Sequence, residues 1–200
     1  MSDGLLWLLE SFPEGFSVSF MEGVQPEVFI QTLGGEPEHT LALTRDQAEA
    51  IEMHARHPDA IDLDTYDLDE EEMMTNGFIR PGVEVLRFGK AGTWAFAIQS
   101  FGSYATSNQL PFHASLGRRF ISFSRTTNTA CWVQYIVDGT VASSFDPLHP
   151  KEGTEDGFSI TEIATSEHPD IATLRYLERQ FSLEVPKSSD FRPLRAAAFG

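Results

Sequence analysis

The sequence predicts an α+β domain, with a central antiparallel sheet of about five or six strands and helices packed mainly on one face. Three features lead there. Short alternating runs joined by turn dipeptides fill the second half of the chain. The first half carries helical periodicity and a capping box. Near the end, residues 169–181 offer an amphipathic stripe that a sheet can bury.

Leu5 to Phe12 reads as a short helix, with Asp3 or Ser2 able to cap it and Pro13-Glu14-Gly15 ending it. Phe16, Val18 and Phe20 alternate with serines, the period of a strand. Pro26 to Leu33 reads as a helix opened by proline in its first turn and stopped by Gly34-Gly35. Leu41 to Leu43 is a short extended piece. Thr44 and Gln47 then stand at capping-box spacing, so a helix runs from Arg45 to Arg56 and ends before Pro58. Asp59 to Glu72 holds eight acids and no base, the composition of a solvated loop or of a helix that forms only against a partner.

Beyond Asn76-Gly77 and Pro81-Gly82, strands follow closely. Val83 to Phe88 and Thr93 to Gln99 flank the turn Gly89 to Gly92, and Trp94, Phe96 and Ile98 share one heavy face. Arg118 to Arg125 is a further strand. Cys131 to Val137 and Thr140 to Phe145 enclose Asp138-Gly139, the signature of a type I′ hairpin. In the last helix Ile171, Leu174, Leu177 and Phe181 form the stripe. The expected organisation is one domain over residues 1–186 and a C-terminal arm, 187–200, lying over it.

Two hundred residues with sixteen Phe, three Trp and four Tyr suffice for a core without a metal or disulfide staple. Cys131, the only cysteine, sits in an apolar run and reads as a small buried hydrophobe. The N-terminal apolar run Leu5 to Leu9 is too short and too acidic in its flank for a secretory signal, and no run approaches a membrane span, so cytoplasm is the expected location.

The charge is −16, and residues 36–72 carry thirteen acids against Arg45 and Arg56. Such a balance argues against a nucleic acid or an anionic membrane as partner and favours a basic protein. Arg118, Arg119 and Arg125 around Phe120 and Phe123 are expected to pair with the chain's own acids rather than to stack bases. The acidic run fits no EF-hand register: counting from Asp62 puts Tyr66 fifth and Met73 twelfth, and counting from Asp67 puts Glu72 where glycine is required. His54 and His57 lack further zinc ligands and suit a helix C-terminus. No nucleophile elbow or phosphate loop is present, so neither a catalytic residue, a metal nor a cofactor is expected.

Val85-Leu86-Arg87-Phe88-Gly89 with Gly92-Thr93-Trp94-Ala95-Phe96-Ala97-Ile98 resembles the signature of an uncharacterised actinobacterial protein family. Tyr135-Ile136-Val137-Asp138-Gly139 with Ser144-Phe145-Asp146-Pro147 is similar to the same family. The resemblance starts at Trp7 and implies a compact α+β domain without an assigned activity. Members carry Glu where this chain has Gln99. A fainter likeness, through the N-terminal helix and Leu33-Gly34-Gly35, is to immunity proteins of the yeast cell-wall regulator superfamily.

These features give one leading expectation and two alternatives. The first is a noncatalytic acidic binding module, an immunity or antitoxin-like inhibitor of a basic protein, docking through Asp59, Asp62, Asp64, Asp67, Asp69, Glu70, Glu71 and Glu72. The second is a small-molecule-binding protein or enzyme with a pocket between the sheet and the C-terminal helix, using His113, Asp146 or His149. The third is a scaffold or self-assembling component that uses the exposed edge of the hairpin.

Overall fold

The computed structural model describes residues 3–106, 110–128, 130–149, 154–155 and 158–200. In chain order the elements are α1 (Trp7–Ser11), β1 (Gly15–Glu22), α2 (Pro26–Thr32), β2 (Leu41–Leu43), α3 (Arg45–Arg56), α4 (Glu70–Thr75), β3 (Glu84–Ala91) and β4 (Trp94–Ser100). There follow α5 (Leu110–Ala114), β5 (Arg119–Thr126), β6 (Cys131–Val137), β7 (Thr140–Phe145), β8 (Thr154–Glu155), β9 (Phe158–Ser159), α6 (Ile160–Ala164), α7 (Pro169–Phe181) and β10 (Leu194–Phe199).

The fold is α+β with one large antiparallel sheet, but that sheet has eight strands in the order β2-β10-β3-β4-β1-β5-β6-β7 rather than five or six. The difference lies at one end. Residues 187–200 do not form an arm over the domain; β10 enters the sheet and pairs with β3 on one side and β2 on the other. Its run Leu-Arg-Ala-Ala-Ala-Phe lacks the β-branched residues that mark a strand, and its small side chains are what two packed faces require there. With β10 in place, the three residues of β2 become a paired edge strand. The separate pair β8 and β9 is a two-stranded ribbon.

Alternation along the strands builds two cores. Phe16, Val18, Phe20, Phe96, Ile98, Ile121, Phe123 and Val133 face α1 and α7. Met21, Ala95, Ala97, Phe88, Phe120 and Ile136 face the other way, under Phe29, Ile30 and Leu33 of the α2 region and Ala114 of α5. Helices therefore cover both faces, although the two longest, α3 and α7, share one. A third cluster under the β2-β10-β3 end joins Ala48 and Ile51 of α3 to Leu43, Val85 and Ala196.

Local chemistry explains the ends of several elements. The α3 capping box is complete: the Gln47 N–H donates to Thr44 Oγ1 at 3.3 Å, and the Thr44 N–H donates to Gln47 Oε1 at 3.0 Å. Asp138 and Gly139 have φ values of 48° and 73°, both positive as a type I′ turn demands. Asp3 does not cap α1; its carboxylate accepts the Lys187 N–H at 2.9 Å, and Ser2 lies outside the described residues. No helix among the described residues is long and apolar enough to cross a membrane.

Candidate functional site

After α3 ends at His57, the chain runs back beneath the β2 end of the sheet along residues 59–78. Four buried side chains pin it there at five-residue intervals: Leu63, Leu68, Met73 and Phe78. Two polar ties add to them. Gln47 Nε2 donates to the Tyr66 carbonyl at 3.0 Å, and His54 Nδ1 meets the Ile61 carbonyl at 2.9 Å. Before and between the pins, Asp59, Asp62, Asp64, Asp67, Asp69, Glu70, Glu71 and Glu72 are all exposed.

This stretch is an ordered ledge rather than a solvated loop or a helix awaiting a partner. Asp62 accepts the Asp64 N–H at 3.1 Å and opens a 3-10 turn over Leu63–Tyr66, which Asp67 closes with φ 53°. Asp69 accepts the Glu72 N–H at 2.8 Å and caps α4, placing Glu70, Glu71 and Glu72 in its first turn, where a carboxylate suits the helix dipole. Among the described residues none of the eight carboxylates takes part in an ion pair. The arginine of β10 is occupied elsewhere, since Arg195 binds Glu27 and Thr40.

A second, buried acidic feature lies beside the ledge. Pairing between β3 and β4 stops at Arg87 and Ile98, although β3 begins at Glu84 and β4 continues to Ser100. Glu52 of α3 fills the gap. One carboxylate oxygen accepts the Val85 N–H at 2.7 Å and the Gln99 Nε2 at 3.1 Å, replacing a lost ladder bond. Gln99 also donates to Glu84 and accepts the Tyr104 N–H at 3.0 Å, so one amide bridges two carboxylates. Glu52 is 1% exposed and its second oxygen has no hydrogen-bond partner. Burial pushes its carboxyl up from 4.5 to about 7, a rise that the Val85 and Gln99 hydrogen bonds oppose and that the Glu84 charge adds to.

The chain leaves β4 through a tight turn. The Gly102 N–H donates to the Ser100 carbonyl at 2.7 Å across Phe101, whose φ of 59° is the strained sense of a γ-turn. A Cβ on Gly102 would overlap Gln99 Nε2 and Glu84 Oε2 and push both side chains aside, so the bridge in this arrangement depends on glycine. Nearby, Ser100 donates to Glu49 at 2.8 Å, and Arg45 binds Asp190 at 2.7 Å and the Ser11 carbonyl at 2.6 Å. Buried Arg87 donates to the Ser189 carbonyl at 2.7 Å, and desolvation lowers it to about 10, still protonated at neutral pH. These bonds fasten α1, α3 and the turn before β10 to one another.

Four cavities surround this end of the molecule. One of about 470 Å³ touches Arg80, Tyr104 and Phe199, and one of about 400 Å³ lies between Phe12, Phe101 and Glu49. An apolar cavity of about 180 Å³ adjoins Phe78, and one of about 210 Å³ separates β2 from the ledge. Glu52 lines none of these four.

The other sequence-derived residues are distributed differently. Asp146 and His149 share a turn after β7, where the His149 N–H donates to the Asp146 carbonyl at 3.0 Å and the Asp146 carboxylate accepts the Leu148 N–H at 2.9 Å. His113 is exposed on α5, against the opposite face of the sheet. The structure does not bring it to the other two. The space between α7 and the sheet is occupied by side chains: the Phe158 ring lies 4.8 Å from Tyr176, 5.8 Å from Phe181 and 5.5 Å from Phe145. None of the four cavities is lined by α7. Arg119 pairs with Glu22 and lies 5.6 Å over Trp94, and Arg125 meets Asp170 at 3.8 Å. Cys131 is buried, its thiol pushed up to about 11 by desolvation.

Sequence reasoning named the eight acids, which the structure places exposed on the ledge, but did not single out Glu52, Glu84 and Arg87. One signal was present for Glu52. It occupies the apolar stripe of α3 with Ala48, Ile51 and Ala55, a position where a carboxylate needs a buried partner. Nothing local marks Glu84 or Arg87, because a strand exposes every second residue to whichever helix happens to cover it.

The chain belongs to a family of unknown function (DUF6461), which matches residues 4–159. The matched span includes the ledge and the seam at Glu52 and stops before α7 and β10. No curated protein and no solved structure matches.

Proposed function

We propose that the protein is a noncatalytic acidic binding module that docks a basic protein through the ledge, in the manner of an immunity or antitoxin-like inhibitor. The observation that carries this reading is the exposure of Asp59, Asp62, Asp64, Asp67, Asp69, Glu70, Glu71 and Glu72 without a counterion among the described residues, on a segment pinned by buried side chains. A chain that needed these charges only for solubility could scatter them. Gathered on one ordered strip, they create a directed field that speeds encounter with a positive surface. Because the strip is already folded, docking forfeits less conformational entropy than a disordered acidic run would.

The test is affinity capture at low and at high ionic strength, using wild type and a variant with all eight acids changed to their amides. The expected outcome is a basic partner retained at low salt by wild type, released at high salt, and not retained by the variant. A control with amides at the exposed acids Glu10 and Glu14 keeps binding. A partner held equally by the ledge variant refutes the proposal.

A further inference from the structure

Strand β2 ends the sheet, and no strand among the described residues pairs with its outer edge. In an antiparallel ladder the N–H and C=O of one residue point to the same side, and the side alternates along the strand. The Val85 N–H goes to Glu52 and not to β10, so Val85 faces β4, and Leu86 and Phe88 face β10. Their partners Ala197 and Arg195 face β3, which leaves Ala196 and Leu194 facing β2. These bond Leu41 and Leu43. The backbone N–H and C=O of Ala42 therefore point outward from the sheet, on an exposed residue.

Beside this edge is the cavity of about 210 Å³, with Leu68 and Met73 as apolar floor and Asp67, Asp69 and Glu72 as rim. That combination suits a lysine or arginine side chain, whose aliphatic stem covers apolar surface while its charged head stays at the rim. The volume accommodates one such side chain and falls below the roughly 300 Å³ at which small-molecule sites begin.

The geometry points to strand addition: a basic, extended segment of the partner protein pairs with Ala42 at the edge of β2 and lays one lysine or arginine into the adjoining cavity. This rests on the proposed docking of a basic protein and specifies how the contact is made. Main-chain bonds would supply affinity, and the carboxylate rim would supply selection. A second copy of this chain is a poor occupant, since edge-to-edge pairing would set the same three carboxylates against one another. The shortness of β2, three residues, likewise keeps the edge from pairing indiscriminately.

The experiment compares two short synthetic peptides of equal length and charge, one alternating lysine with valine and one its counterpart N-methylated at every backbone amide, which cannot donate strand hydrogen bonds. Binding to the full chain is measured by fluorescence anisotropy at low ionic strength. The lysine–valine peptide is expected to bind about tenfold more tightly, the worth of one or two net hydrogen bonds. Ala42→Pro puts a ring carbon where the outward N–H stood, which removes that donor and obstructs an incoming strand without touching the bonds to β10, so it keeps the native circular dichroism and loses that preference. The triple variant Asp67→Asn, Asp69→Asn, Glu72→Gln weakens both peptides. Equal affinity of the two peptides for wild type, or an undiminished preference in Ala42→Pro, overturns strand addition while leaving the electrostatic reading intact. If the triple variant weakens neither peptide, the docking reading itself falls.

Discussion

Glu52 and the ledge carboxylates lie within twenty residues of one another, yet solvent treats them oppositely. The ledge acids are exposed to water, take part in no ion pair among the described residues, and face outward. Glu52 is sealed in the gap between β3 and β4, holds its proton to about pH 7, and acts inward as a substitute rung of the sheet. A carboxylate's role here follows from whether water can reach it, because ionising a buried acid costs several kcal/mol that hydration otherwise supplies. The charge of the first group leaves the fold nearly indifferent, although Asp62 and Asp69 also serve as caps; the second makes the fold depend on pH.

The comparison breaks most severely if the ledge loses its pins. Phe78→Ala removes a fully buried ring and should cost about 3–5 kcal/mol in urea denaturation, with the ledge amides gaining hydrogen exchange first. Next comes the proton on Glu52. Its folded value is raised above the unfolded one, so its stabilisation is complete below pH 4.5 and is lost as pH rises to about 7. Over that window stability should fall by about 3 kcal/mol, and Glu52→Gln, which cannot ionise, should flatten the slope.

Gly102→Ala is expected to cost ~1–3 kcal/mol, since the added methyl displaces the Gln99 bridge to Glu84. A thermal melt showing no loss would mean the bridge is dispensable. Changing all eight ledge acids to amides should leave the melting temperature unchanged or slightly raised, because no ion pair is lost and self-repulsion declines. A marked drop would place these acids among the fold's own supports. The smallest effect concerns Cys131, which should resist alkylation in the native protein and react only on unfolding, as mass spectrometry would detect.

Much of this was legible one residue at a time. Thr44 and Gln47 announced the start of α3, Asp138-Gly139 the hairpin, and the Phe16-Val18-Phe20 alternation the central strand, because each is a local rule between near neighbours. The ledge was legible as charge but not as order: its pins Leu63, Leu68, Met73 and Phe78 fall at a spacing of five, which matches neither helix nor strand. Only contact with α3 and β10 makes that spacing useful.

The order of carboxylates along the chain, the capping box of α3, the type I′ turn and the alternation of the long strands follow from the sequence itself, through interactions spanning four residues or fewer. Tertiary structure decided the rest. It inserted the alanine-rich β10 between β2 and β3, turned Ala42 outward, and opened the gap that Glu52 fills. The first two depend on pairing between segments more than a hundred residues apart and the third on contacts 33 and 47 residues apart, where no local preference can choose a neighbour or tell a buried acid from an exposed one.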